Sequence, residues 1–156
     1  VMIGSDGTAP DRGTDMFRHM VMCARVQQRA ARDERLMPPG KLLEMITIDA
    51  ARGLGRAADL GSLEVGKKAD IITVDLATPH AYPPNMPVHR LVWFAQGADV
   101  RDVIVDGRVL MRDRAVPHLD EAAILAAAAR EAQTMLARSG LAHLTRVDPG
   151  WGRVRL

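Results

Sequence analysis

The chain opens with a short apolar run, Val1, Met2 and Ile3, stopped by Gly4, Ser5, Asp6 and Gly7; this is the pattern of a buried strand that ends in a polar turn. Thr14 is placed as an N-cap, and from there Phe17, Met20, Val21 and Ala24 recur at helical spacing to about Ala31. Pro38, Pro39 and Gly40 interrupt the pattern, and Leu42, Leu43, Met45 and Ile46 then predict a second helix. A third, shorter helix is expected after Thr47 or Asp49, with Gly53 inside it and Gly55 as its C-cap. Ala69 to Leu76 is short and rich in Ile, Val and Thr, which favours a strand. A proline-rich loop follows, and Val88 to Ala95 reads as a short helix because Leu91, Val92 and Phe94 do not alternate. Val100 to Val105 and Arg108 to Met111 flank Asp106-Gly107, a dipeptide that favours a tight hairpin. Asp120 then caps an Ala-rich helix to about Arg138, ended by Ser139 and Gly140; the tail from Leu141 to Leu156, with Pro149, Gly150 and Gly152, carries no usable period.

Composition narrows the class. A chain of 156 residues is long enough for one core, and a self-contained domain of this size buries roughly 68 to 70% of its unfolded surface. Lys plus Arg number 21 against 19 Asp plus Glu, so there is no strong field and no footprint for nucleic acid. No run reaches the roughly 18 apolar residues of a membrane span, and Asp6, Asp11, Arg12 and Asp15 stand where a signal peptide needs an apolar stretch. The single cysteine, Cys23, excludes a disulfide within one chain; its neighbours Met20, Val21 and Ala24 suggest a small buried hydrophobe and a reducing, cytoplasmic setting. The chain starts at Val1 in strand-like sequence, from which truncation of a longer protein is expected.

The most informative stretch is GSLEVGKKADIITVD, from Gly61 to Asp75, which joins a turn, a Gly-Lys-Lys corner and a β-branched strand. It lacks the glycine spacing and the Ser or Thr after Lys that a phosphate-binding loop requires, so it reads as a structural corner. Taken with the order strand, Gly-Ser-Asp-Gly, helix, Pro-Pro-Gly, helix and the later DVRDVIVDGRVLMRD, it resembles the C-terminal part of a metal-dependent amidohydrolase. The most similar branch holds the s-triazine hydrolases and the cytosine, guanine and S-adenosylhomocysteine deaminases.

That resemblance implies an α/β fold: the last strand and helices of a (β/α)₈ barrel, then the C-terminal strands of a small β-sandwich and a terminal helix. The implied boundaries are 1–60 for the barrel end, 61–119 for the sandwich portion and 120–156 for the helix and tail. It also implies that Asp6, closing the last barrel strand, binds the catalytic metal and handles the proton of the attacking water. Chemistry at the C-terminal ends of barrel strands is the rule for this fold. The implied cofactor is one divalent metal, zinc or iron, and the implied substrate a small amino-substituted heterocycle. The family's other ligands are a His-x-His pair and two single histidines, and this chain has none of them. His19, His80, His89, His118 and His143 are scattered with no i, i+2 pair, so the isolated chain is expected to be inactive. Where many relatives read Ala-Ser-Asn beside the substrate pocket, this chain has Ala9, Pro10 and Asp11, which leaves substrate identity open.

Other residues read more plainly. Arg25, Arg29, Arg32 and Arg35 form a solvated face, His80 and His89 take loop and surface roles, and Trp93 and Phe94 belong to a core or interface. His19 is expected to pack against the glycine-rich turns. The alternative to a piece of an enzyme is a non-catalytic module that self-associates, or one half of a split enzyme. The expected partner is accordingly a second copy or the missing N-terminal part, with self-association through Val1 to Ile3 and the first helices.

Overall fold

The computed structural model describes residues 1–7 and 13–145; Ala9, Pro10 and Asp11 and the tail beyond residue 145 lie outside the described residues. The chain divides into two compact units, Val1–Pro117 and His118–Leu156.

In the first unit, helix α1 (Met16–Ala31) is followed by α2 (Pro39–Ile46) and α3 (Ile48–Gly53), strand β1 (Ile71–Val74), helix α4 (Pro87–Trp93), and strands β2 (Val100–Val105) and β3 (Arg108–Met111). The apolar period of α1 places Phe17, Met20 and Ala24 on one face, where they meet Leu42 of α2 and Val92 of α4. Met20, Leu42 and Val92 are fully buried, and each contributes about 1.5–3 kcal/mol of transfer free energy. Ile3, Val74, Leu76 and Val100 pack partly buried against the same cluster, so the helices and one end of the sheet share a core.

The sheet is antiparallel in the order β1-β2-β3. Ile71 lies opposite Ile104 and Thr73 opposite Asp102, with an irregularity between Thr73 and Val74. Val105 faces Arg108 across the predicted turn, where Asp106 and Gly107 both take positive φ, 50° and 77°. This is the conformation a two-residue hairpin demands and the reason Asp-Gly suits it.

The Gly61–Asp75 stretch is a corner held by local pairs. Lys67 Nζ reaches Ser62 Oγ at 2.6 Å and Glu64 at 3.0 Å, and Lys68 Nζ reaches Asp106 at 3.1 Å. Asp70 Oδ1 accepts from Asp106 N at 2.7 Å, tying the corner to the hairpin tip. Gly61 has φ +91°, and a Cβ there would sit 2.7 Å from the Ala51 Cβ and 2.9 Å from the Ile48 Cα. The chain can pass this close to α3 only without a side chain.

Two expectations are corrected here. Val1–Ile3 is not a strand. Among the described residues its one backbone tie is Ile3 N to Met45 O at 3.1 Å, and Val1 is 97% exposed; no described strand lies beside it to supply a ladder. The N-cap of α1 is Asp15 rather than Thr14, for a reason that involves a distant partner described below.

The second unit consists of α5 (Glu121–Ser139) and a 3₁₀ turn at Ala142–Thr145. Asp120 caps α5 by accepting from Ala123 N at 2.9 Å, and Gly140 ends it at φ +70°. No described helix in either unit is long and apolar enough to cross a membrane.

Candidate functional site

The backbone before α1 places Asp6 at the rim of an open hollow of about 420 Å³, formed with Ile3, Gly4, Ser5, His19, Met22 and Cys23. Two elements build it: the segment that leads to Asp6, and the face of α1 turned away from its core face. His19 and Cys23 are spaced i, i+4, so they stand one above the other on that face. His19 is 6% exposed and lines the hollow together with Gly4 and Ser5. Cys23 is a free, half-buried thiol, less enclosed than its apolar neighbours imply, because it faces this hollow rather than the core.

Asp6 is exposed, and its backbone has φ +52°. Its Oδ1 accepts from Gly7 N at 2.7 Å, and its carbonyl accepts from Ser5 Oγ at 3.4 Å. Aspartate tolerates the left-handed region better than most residues, yet the conformation still costs about 1–2 kcal/mol and persists only where the surroundings enforce it. One carboxylate oxygen is engaged locally; no described bond occupies Oδ2.

Among the described residues no three His, Cys, Asp or Glu side chains come together as a metal-binding group. A catalytic zinc site keeps three protein ligands, and Asp6 with its neighbours does not supply them. The residues described here therefore do not fit a metal on their own.

Sequence reasoning missed three polar centres. Asp15 Oδ1 accepts from Phe17 N at 2.9 Å and Arg18 N at 3.4 Å, while Oδ2 accepts from Gly97 N at 2.9 Å, 82 residues away. Asp99, 4% exposed, accepts from Gln96 N at 2.8 Å and lies 2.8 Å from His80 Nε2, so His80, exposed in its loop as expected, also partners a buried carboxylate. Arg114 joins the same turn, donating to Ala98 O at 3.0 Å and to Asp75 at 3.2 Å. The Asp75 carboxyl is held below its ordinary range first by the Ala77 N–H and then by Arg114. The only local signal was the Gln96/Asp99 spacing of a capping box.

The arginine face is solvent-directed. Arg35 pairs with Asp33 at 3.1 Å, Arg32 ends α1 at φ +52°, and Arg25 lies over the Trp93 ring at 5.3 Å. Trp93 packs partly buried on the core, while Phe94 stays exposed under Arg90.

Comparison with known proteins defines the class. The amidohydrolase family pattern matches residues 1–110, and the chain belongs to that family. It is 39% identical over 145 residues to an s-triazine hydrolase of Gordonia rubripertincta, covering 90% of this chain and 30% of that protein. It is 40% identical over 114 residues to a 5-methylthioadenosine/S-adenosylhomocysteine deaminase of Syntrophobacter fumaroxidans, covering 73% and 26%. Among solved structures, a zinc-bound adenosine deaminase from Xanthomonas campestris superposes with TM-score 0.83 at 30% identity, over 87% of this chain and 31% of that one. The zinc complex of an atrazine chlorohydrolase from Arthrobacter aurescens gives 0.69 at 28% identity, over 77% and 27%. These neighbours are barrel enzymes of the amidohydrolase kind, which fixes the fold family. The chain spans about 30% of the length of the curated relatives it matches.

Proposed function

We propose that this chain is the C-terminal portion of a metal-dependent amidohydrolase that hydrolyses a carbon–nitrogen bond, by deamination of a small amino-substituted heterocycle. The observation that carries the reading is Asp6: an exposed carboxylate at a strained backbone position, inside the family-matched segment, on the rim of a hollow. Its role is to take a proton from the attacking water and deliver it to the departing amine, a general acid–base contribution of about 10²–10⁴-fold. Relatives named as deaminases and as a triazine hydrolase support the substrate class, and zinc in two solved neighbours supports zinc, or iron, as the metal. Because the described residues lack a ligand set, at least two further ligands would come from outside the described residues.

In this reading residues 1–60 close the barrel, 61–119 supply strands of a β-sandwich, and 120–156 add a terminal helix and tail. The setting is cytoplasmic, and the partners are the small heterocycle and the N-terminal part of the enzyme, with no nucleic acid and no membrane. The test is the coding sequence directly upstream of Val1. A His-x-His motif on an early strand supports the proposal, and an upstream stretch with no such motif contradicts it.

Exposed apolar side chains favour a second reading. Met22 and Val26 of α1 are about half exposed beside the hollow, and Val1 is almost fully exposed; a chain on its own would cover such a face by self-association. Light scattering separates the two readings: a concentration-independent monomer with a cooperative melt argues against association.

A further inference from the structure

The arginines that run down α1 and into the loop after it border a groove in which Asp6 has no part. Arg25, Arg29 and Arg32 stand at i, i+4 and i+7, on one side of the helix. Two open hollows of about 610 Å³ and 760 Å³ adjoin there, each within the roughly 300–1,000 Å³ of small-molecule sites. They share Arg25, Gln28, Glu34 and Arg35, so they form one groove with two unlike ends. One end is aromatic, walled by His89, Trp93 and Phe94. The other is cationic, lined by Arg29 and Arg32.

Hydrogen bonds hold both ends in shape. Gln28 Nε2 donates to Glu34 O at 3.0 Å and to Leu36 O at 2.8 Å, which fastens the loop to the helix. Arg32 N and Asp33 N donate to Arg29 O and Gln28 O, so these carbonyls at the end of α1 are already engaged. At the aromatic end the His89 and Phe94 rings lie 6.0 Å apart, and Phe94 is exposed. The Arg25 guanidinium lies over the Trp93 ring at 5.3 Å, so a flat, delocalised group already rests on that indole.

The charges are unevenly satisfied. Asp33 is taken by Arg35 at 3.1 Å. Among the described residues no carboxylate pairs with Arg25, Arg29 or Arg32. Their planar forks suit the oxygens of a phosphate. One carboxylate, Glu34, stands where the two hollows meet and has no described side-chain partner.

We propose that this groove binds a nucleoside 5′-phosphate. The base lies against Trp93 and Phe94, the phosphate accepts from Arg29 and Arg32, and the sugar hydroxyls between them donate to Glu34. Ring, hydroxyls and anion follow one another in the ligand as aromatic wall, carboxylate and arginines do in the groove. A base that takes the face of Trp93 releases Arg25 to the phosphate. The groove shares no lining residue with the hollow at Asp6, so the site goes beyond the reading of Asp6 and does not depend on it.

The test is a fluorescence titration of this chain carrying Trp151→Phe, which leaves Trp93 as its one tryptophan. The probe is adenosine 5′-monophosphate, with adenosine and ribose 5-phosphate as its two halves. Saturable quenching with Kd of about 1 mM or tighter is expected for the nucleotide, and at least about tenfold weaker binding for each half, since each loses one end of the groove. Arg29, Arg32 and Glu34 are exposed, so substituting them leaves the fold in place. Arg29→Gln with Arg32→Gln is expected to weaken the nucleotide about tenfold or more, to the level of adenosine. Glu34→Gln separates a built site from a basic patch. A patch gains affinity when a negative charge is removed; the proposed site loses about threefold or more, because the sugar loses its charged acceptor. Asp6→Asn is expected to bind as the parent does. No saturable change up to about 10 mM nucleotide, ribose 5-phosphate binding as tightly as the nucleotide, or tighter binding in Glu34→Gln overturns the proposal; weakened binding in Asp6→Asn would place the ligand at the other hollow and overturn it too.

Discussion

Gly61→Ala probes why the family-defining stretch begins with glycine. Two terms act on the added methyl. The backbone is at φ +91°, and a side chain in the left-handed region costs roughly 1–2 kcal/mol. The methyl would also lie 2.7 Å from the Ala51 Cβ and 2.9 Å from the Ile48 Cα; α3 must shift, and overpacking of this kind costs about 1–3 kcal/mol. The sum is a loss of about 2–5 kcal/mol, large against the roughly 5–15 kcal/mol of a typical domain. Gly66 provides the internal control, because it has φ +94° but nothing within 4 Å of an added Cβ. Gly66→Ala therefore meets only the backbone term; the reduction of unfolded-state entropy, about 0.4–1 kcal/mol, acts equally on both variants and cancels from the comparison. Urea unfolding of the three proteins gives the difference at equal m-value. Gly61→Ala is expected to be less stable than Gly66→Ala by at least about 1 kcal/mol. Equal losses would refute the claim that contact with α3, rather than the turn alone, requires glycine.

Three further outcomes follow from the same geometry. The Asp102 carboxyl sits below its ordinary value of 3.8, first through Thr73 Oγ1 and then through the Asp113 N–H, and Asp75 is lowered likewise. Their stabilisation is therefore complete above pH 3.8 and is lost as pH falls through the lowered folded values, so urea midpoints should drop below about pH 4 and drop less steeply in Asp102→Asn; a parallel drop in both proteins would argue against this source. Asp120→Ala removes the cap bonded to Ala123 N and should cost α5 about 1 kcal/mol, seen as reduced helicity by circular dichroism, whereas unchanged helicity would discount the cap. Zinc added to the purified chain should be lost on dialysis, as read by elemental analysis, because the described residues bring no three ligands together; one retained equivalent would mean that the chain binds the metal unaided.

Local chemistry was legible in the sequence, and long-range pairing was not. Asp106-Gly107 specified the hairpin because two consecutive positive φ values suit few residue pairs, and Asp120 with Gly140 bracketed α5 by the ordinary cap preferences. Thr14 and Asp15 are equivalent as helix starts by local rules; the choice fell to Asp15, whose second oxygen has a partner at Gly97. Burial of Asp99 under His80 likewise joins positions 19 apart with no periodic signature. Val1–Ile3 looked like a strand because an apolar run reports burial, whereas a strand also needs a neighbour to pair with. Asp6 was locatable only through the resemblance carried by Gly61–Asp75, because a lone Ser-Asp-Gly is an ordinary turn.

The account turns on Asp6 as the proton carrier of a carbon–nitrogen hydrolase. The direct measurement is ammonia release from an aminated heterocycle by an enzyme containing the whole barrel, with Asp6→Asn compared against the parent at equal folded protein. The account predicts a fall in kcat of about 10²–10⁴-fold; retention of most of the activity would contradict it.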